Sequence, residues 1–337
     1  MSKLWFVADK DLGITGSDGF FGVVAKPPGV SIESKGSFLV NPDIICSFLT
    51  KSKSETIVIE KKNKNLFIKD DNAKVSINHD EDDVYPLVPE IPDRANAICY
   101  ARELSYAFNK VSYCSNKKND RNDPRSVNIE IVPGGKITVM ALSDYQLAAI
   151  DVDFDADQLE SKVGCAIDHF FIQKIDEVIK HNEGFVNIRV DGPVAWFILS
   201  DVILYVRRYD FRHKNWRNLL PGSEPASKVV VNAKEFIRAW DLVSVVTTKD
   251  YSSIRINVAD DILVVSANVP ESGISEVRVP CEVHGRGLEV HTDAKMFSKA
   301  LHSLENNEEL TINFHGPKGP IVIKESEGHV CMEVPSV

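Results

Sequence analysis

Long apolar runs are missing from this sequence. Nothing in it approaches the roughly 20 consecutive apolar residues that a membrane-crossing helix requires, so no membrane partner is expected. Cysteine is sparse: Cys46, Cys99, Cys114, Cys165, Cys281 and Cys331 are scattered, with no Cys-x-x-Cys pair. That leaves no sequence-evident disulfide framework and suits reduced thiols in a cytoplasmic protein. The N-terminus, Met1 to Trp5, runs straight into a strand-like segment, and no signal peptide is expected. Catalytic motifs are missing too. Pro133-Gly-Gly-Lys136 lacks the spacing of a phosphate loop, the nine histidines form no His-Glu-x-x-His, and no serine sits in Gly-x-Ser-x-Gly. The acidic run Asp80-Glu81-Asp82-Asp83 has no returning ligand nearby and reads as a solvated loop. No enzyme activity, metal or cofactor is therefore expected. Basic charge is not in excess either: Lys and Arg number 39 against 49 Asp and Glu, a net charge of −10. Total charge argues against a nucleic-acid partner unless the charge is polarised.

What is present is repetition. The chain has 337 residues, enough for two or three domains. Ala101-Arg-Glu-Leu-Ser-Tyr-Ala-Phe-Asn-Lys-Val-Ser112 lies without gaps on Ala233-Lys-Glu-Phe-Ile-Arg-Ala-Trp-Asp-Leu-Val-Ser244, offset by 132 residues. Leu104, Ala107, Phe108 and Val111, like Phe236, Ala239, Trp240 and Val243, fall at i, i+3, i+4, i+7. That spacing makes one apolar stripe on each of two helices. The offset is too long for a solenoid and fits duplicated domains. A second helix recurs at Asp168–Ile175 and Asp293–Ala300, with a third copy at Asn41–Leu49. Asn41 or Asp43, Asp168 and Asp293 stand at their starts as N-caps.

Short alternating apolar runs lie between the helices, such as Val127–Ile131, Gly135–Ala141, Ser253–Val258 and Ile262–Val265. Turn formers bound them at Pro133-Gly134-Gly135 and Ala259-Asp260-Asp261, so they read as antiparallel hairpins with one buried face. The division follows as 1–91, 92–221 and 222–337. The first repeat is short. It lacks a counterpart of the first strand and helix, which leads to the expectation of a start further upstream or a pared-down first domain.

The order and spacing of these repeats resemble the bacterial sliding clamps, the β subunit of DNA polymerase III. Leu142-Ser-Asp-Tyr-Gln-Leu147 stands where that family has Thr-Asp-Gly-His-Arg-Leu. Asn215-Trp-Arg-Asn-Leu-Leu-Pro221 stands where it has Pro-Asp-Tyr-Arg…Pro, and Val330 to Val337 resembles its Met-Pro-Met-Arg-Leu terminus, with departures. The resemblance implies an α+β fold of tandem DNA-clamp domains, two helices on antiparallel sheets in each, three in the chain with the first incomplete. It implies a homodimeric ring around double-stranded DNA, bound without regard to sequence. The ring would be a processivity factor tethering DNA polymerase and clamp-loader subunits through short linear motifs. The departures suit a divergent or phage-encoded member, cytoplasmic and associated with the nucleoid. The competing reading is a non-catalytic β-rich multidomain phage or surface structural protein. Such a protein would not need paired amphipathic helices with basic outer faces.

Charge in the sequence is polarised as a DNA-lined hole requires. The five helical windows, 41–53, 95–118, 168–181, 233–249 and 293–305, hold 13 basic and 9 acidic residues, on an otherwise acidic chain. Lys110, Lys117, Lys118, Lys174, Lys180, Arg238, Lys295 and Lys299 are the expected DNA-facing residues. The resemblance assigns a peptide-binding pocket to Tyr145, Gln146, Leu147, Asn218, Leu219, Tyr251, Met296, Val330, Met332 and Val334. It assigns a dimer interface to Tyr85, Val245 and Val246.

Overall fold

The computed structural model describes residues 3–80, 85, 87–115, 125–154, 161–209, 215–325 and 328–335. Five α-helices lie among them: α1 Pro42–Lys51, α2 Ala101–Val111, α3 His169–Ile179, α4 Ala233–Ser244 and α5 Ala294–His302. The sequence explains where they begin. The side chain of Asn41 accepts from the Asp43 amide, that of Asp168 from the Phe170 amide, and that of Asp293 from the amides of Lys295 and Met296. Each satisfies N–H groups that a first helical turn leaves unpaired. The repeated stripes go inward: all eight residues of the α2 and α4 stripes are buried. Helix α2 ends at Val111 in a short 3-10 turn, Ser112–Cys114, earlier than the expected helical window. The partners of these helices also repeat. Ser105 and Asn109 of α2 donate to the Asp176 carboxylate of α3 at 2.5 and 3.2 Å. In the corresponding place the Trp240 indole of α4 donates to the Ala294 carbonyl of α5 at 3.1 Å, beside the Phe297 ring.

The chain forms two compact units, 1–98 with 184–208, and 99–183 with 209–337. These units follow spatial contact, whereas the repeats follow sequence similarity, so the two divisions describe different things. In the first unit an antiparallel sheet runs in the order Gly36–Val40, Leu4–Ala8, Leu12–Ser17, Phe21–Ala25, Val202–Arg207, Val194–Ile198, Phe185–Asp191. A separate three-stranded sheet, Val58–Lys62, Asn65–Lys69 and Lys74–Asn78, shares a core with it and with α1 through Phe6, Val40, Ile45, Leu66, Ile68 and Ile77. Where Phe21–Ala25 meets Val202–Arg207, Gly22 lies opposite Tyr205. A Cβ at Gly22 would come within 2.1 Å of the Tyr205 ring, so only glycine leaves room for it. The Tyr205 hydroxyl then reaches Ser17 Oγ at 2.8 Å.

The second unit carries a continuous twelve-stranded antiparallel sheet. Its order is Val163–Asp168, Ser126–Val132, Lys136–Leu142, Gln146–Asp153, Val330–Glu333, Ile321–Lys324, Glu309–Phe314, Ser227–Asn232, Gly273–Gly285, Ile262–Val269, Ser253–Ala259, Leu288–Asp293. The alternating runs of the sequence become its hairpins. Gly134 and Gly135 take φ of 102° and 84°, and Asp260 and Asp261 take 50° and 58°, the left-handed region that tight hairpin turns demand. The junction of Gln146–Asp153 with Val330–Glu333 decides the geometry of the site described next.

Candidate functional sites

Strand pleating sorts the side chains of that junction onto two faces. The register pairs Leu147 with Met332, Ala149 with Val330, and Gln146 with Glu333, and the Val334 amide donates to the Tyr145 carbonyl at 2.9 Å. Tyr145, Leu147, Val330, Met332 and Val334 therefore share one face. There Leu147, Met140, Ala149 and Trp216 form a buried cluster, flanked by half-buried Leu142, Leu220 and Met332. Above it Tyr145, Leu219 and Val334 are exposed. The result is an apolar strip, termed the groove below, with a buried floor and exposed hydrophobic edges. Asn218 and Leu219 sit on its rim in the short turn Trp216–Leu219, which the Asn215 side chain caps by accepting from the Arg217 amide at 3.2 Å.

Two of the expected pocket residues lie on the opposite face, and one lies elsewhere. Gln146 is buried beneath the groove, because its neighbour Leu147 takes the groove side and adjacent strand residues alternate. Its amide donates to the Met296 carbonyl at 2.9 Å, so Met296 joins the underside through its main chain. Tyr251 lines a separate open cleft of about 680 Å³ with Asp250, Asn268, His291 and Lys318. Sequence reasoning missed Met140, Leu142, Trp216 and Leu220 as groove residues. The alternation of Met140 and Leu142 in step with Leu147 was the available signal.

Lys110 does not face outward. It is buried, and its ammonium pairs with Glu325 at 2.9 Å while also donating to the Ser303 carbonyl. Lys110, three positions beyond the stripe residue Ala107, has turned into the core, where a carboxylate compensates its charge. Glu325 accepts also from Asn307 and contacts His329 Nδ1 at 3.1 Å, and His329 Nε2 lies 3.3 Å from Cys331 Sγ. Burial opposes ionisation of Glu325, yet the hydrogen bonds and charge of His329 and Lys110 bring it down to about 2. Burial likewise works against a proton on His329, but Cys331 and Glu325 raise it to about 9.

Of the other basic positions, Lys180, Arg238, Lys295 and Lys299 are exposed. Lys174 is half-buried, paired with Glu177 at 3.0 Å and lying over the Phe170 ring. Lys117 and Lys118 fall outside the described residues, as do Glu81, Asp82 and Asp83 of the acidic run. Val245 is 78% exposed just beyond α4 and lines an apolar patch with exposed Leu242, while Ser275 Oγ approaches the Leu242 carbonyl and its strand neighbour Ile274 is exposed on the other face. Val246 is half-buried. Tyr85 turns inward within its own unit: its hydroxyl donates to the Thr15 carbonyl at 2.9 Å and its ring packs on Trp5.

Helix pairs repeated on sheets that continue from one repeat into the next define a DNA-clamp fold. Solved structures carry the same fold: the DNA polymerase sliding clamp from Bacillus subtilis matches with a TM-score of 0.91 at 20% identity, over 99% of this chain and 91% of that one. The DNA polymerase III subunit beta from Pseudomonas aeruginosa matches with a TM-score of 0.91 at 17% identity, over 100% and 93%. The family described as DNA polymerase III beta subunit, C-terminal domain, matches residues 217–335. The beta sliding clamp of Bacillus subtilis (strain 168) is 22% identical over 97% of this chain and 88% of its own length. By fold along its whole length and by sequence the chain is similar to the beta sliding clamps, and residues 217–335 match the C-terminal domain of the DNA polymerase III beta subunit.

Proposed function

We propose that the chain is a non-catalytic processivity clamp, which closes as a head-to-tail homodimer around duplex DNA and holds polymerase and clamp-loader subunits by short linear motifs. It is read as cytoplasmic. Among the described residues no helix is long and apolar enough to cross a membrane.

One observation carries the ring. The third strand of a repeat's first sheet pairs with the last strand of the following repeat's three-stranded set. This happens at Phe21–Ala25 with Val202–Arg207, and again at Gln146–Asp153 with Val330–Glu333. Among the described residues the same halves recur once more without partners. The first part of Gly273–Gly285 pairs only with Ile262–Val269, and Lys74–Asn78 pairs only with Asn65–Lys69. Bare edge strands of this kind invite a further strand. A heterologous contact joining the two halves between copies closes a ring when the rotation closes. The apolar patch of Leu242 and Val245 adjoins the first of these edges and would be covered in the same contact. Of the expected interface residues, Val245 suits this role best.

Lys174, Lys180, Arg238, Lys295 and Lys299 are read as lining the hole, where exposed cations would attract phosphates without reading bases. The groove of Leu147, Trp216, Leu219, Met332 and Val334 is read as the motif site, its aliphatic and methionine walls suited to hydrophobic anchors. The test is topological: the protein is loaded onto nicked circular DNA, which is then linearised. Release on linearisation is the expected result. Retention unchanged by linearisation would overturn the ring.

A further inference from the structure

Behind the groove lies a carboxylic acid that apolar packing alone does not call for. Glu333 is 3% exposed, on the strand that also carries Met332 and Val334. Thr292, at the end of Leu288–Asp293, donates its hydroxyl to Glu333 Oε1, and the Gln146 amide donates to Oε2 at 3.3 Å. The second hydrogen of that amide goes to the Met296 carbonyl in the first turn of α5. Three elements are thus pinned through one side chain: the strand Gln146–Asp153, the strand Leu288–Asp293, and α5 by way of Gln146.

Among the described residues no Lys, Arg or His forms an ion pair with Glu333. The titratable groups that act on it are Asp293 on Leu288–Asp293 and Cys114 after α2; Cys114 in turn interacts with Tyr113, Cys331 and Lys299 of α5, and His329 lies against Cys331. A carboxylate left here would face a neighbouring carboxylate in a dry site, and the neutral acid is the form such a site holds. Burial pushes Glu333 up to about 8, against the opposing hydrogen bonds of Thr292 and Gln146.

We propose that Glu333 is a positioning residue for the groove: as a neutral acid on its underside it fixes the strand pair whose other face presents Tyr145, Leu147, Met332 and Val334. The proposal rests on reading that groove as the motif site. Ionisation of Glu333 loosens the underside, so the groove loses its shape as the solution becomes alkaline. Glu333→Gln keeps the size and hydrogen-bonding capacity of the side chain and cannot ionise.

The experiment measures binding of a fluorescein-labelled synthetic pentapeptide with leucine and phenylalanine anchors from pH 6 to pH 9, together with amide hydrogen exchange of residues 145–149 and 330–334. In the wild type, affinity is expected to fall about tenfold between pH 7 and pH 9, with exchange at these amides rising beyond the intrinsic base-catalysed increase. Glu333→Gln is expected to keep the affinity of pH 6 across the range with flat corrected exchange. Gln146→Met, which removes the link at similar volume, is expected to bind weakly at every pH. Identical pH profiles for wild type and Glu333→Gln would overturn the proposal. If the wild type fails to bind the peptide at pH 6, the groove reading itself falls, and equal exchange in wild type and Glu333→Gln at pH 9 is then the result that overturns the positioning role. Pinning of the strands by Glu333 would then be judged from exchange alone.

Discussion

Lys110 and Glu325 form an ion pair at 2.9 Å although 215 positions separate them, and both side chains are less than 5% exposed. The pair ties the end of α2 to the loop ahead of the tail strand Val330–Glu333. A charge held this way belongs to the fold rather than to DNA. Lys110→Met is expected to lower stability by about 3 kcal/mol, because it leaves a buried carboxylate with one cation fewer. Chemical denaturation measures the loss. DNA retention per folded molecule should not change, and a retention defect without a stability defect would return Lys110 to the DNA surface.

The pH dependence of stability should show three components. Glu325 is held low, at about 2, so its contribution is complete above its unfolded value near 4.5 and fades as pH falls toward 2. His329 is held high, at about 9, so its contribution is complete below about 6.5 and is lost as pH rises through 9. Glu333 is also held high, at about 8. The folded protein therefore keeps a proton that the unfolded chain has released, and stability drains away from about pH 4.5 to pH 8. Melting temperatures across pH 4 to 10 should fall on the alkaline side. Glu333→Gln should remove the part of that fall below pH 8, and His329→Gln the part nearer 9. Alkaline limbs that match the wild type in both variants would refute this account.

The groove is best tested at its rim. Leu147 is buried, and Leu147→Ala is expected to cost about 2–5 kcal/mol of stability whatever the groove binds. Leu219 and Val334 are about 40% exposed, so their replacement by Ala should leave the melting temperature within a few degrees. Peptide affinity should nevertheless fall about tenfold in the double variant, as fluorescence anisotropy would show. Unchanged affinity would place the peptide elsewhere.

The helix cations predict a salt effect. Lys174→Glu with Lys299→Glu should reduce retention on circular DNA and flatten the dependence of binding on salt concentration, since fewer counterions are released. An unaltered salt slope would move both lysines to the outer surface.

Self-association should depend on the patch beyond α4. Leu242→Asp with Val245→Asp puts two charges into the proposed contact and should give monomers in sedimentation at micromolar concentration. A persistent dimer would place the contact at another edge.

Much of this protein was legible in its residue order. The α2 and α4 stripes, the caps at Asn41, Asp168 and Asp293, and the hairpins turning at Gly134-Gly135 and Asp260-Asp261 follow from local rules of period and turn chemistry, and local rules act on neighbours in sequence. The helix pairs could be matched for the same reason, because one pattern recurs 132 residues later. Tertiary structure alone decided what is joined at long range. It set the register that puts Leu147 and Met332 on the groove side and Gln146 and Glu333 beneath it, since slipping a strand by one residue exchanges its faces. It sent Lys110 inward, because a lysine at the edge of a helix stripe is core or surface according to whether a carboxylate more than two hundred positions away comes to meet it. Tyr251 was drawn into a different cleft by the same kind of distant packing, which nothing in its own neighbourhood announces.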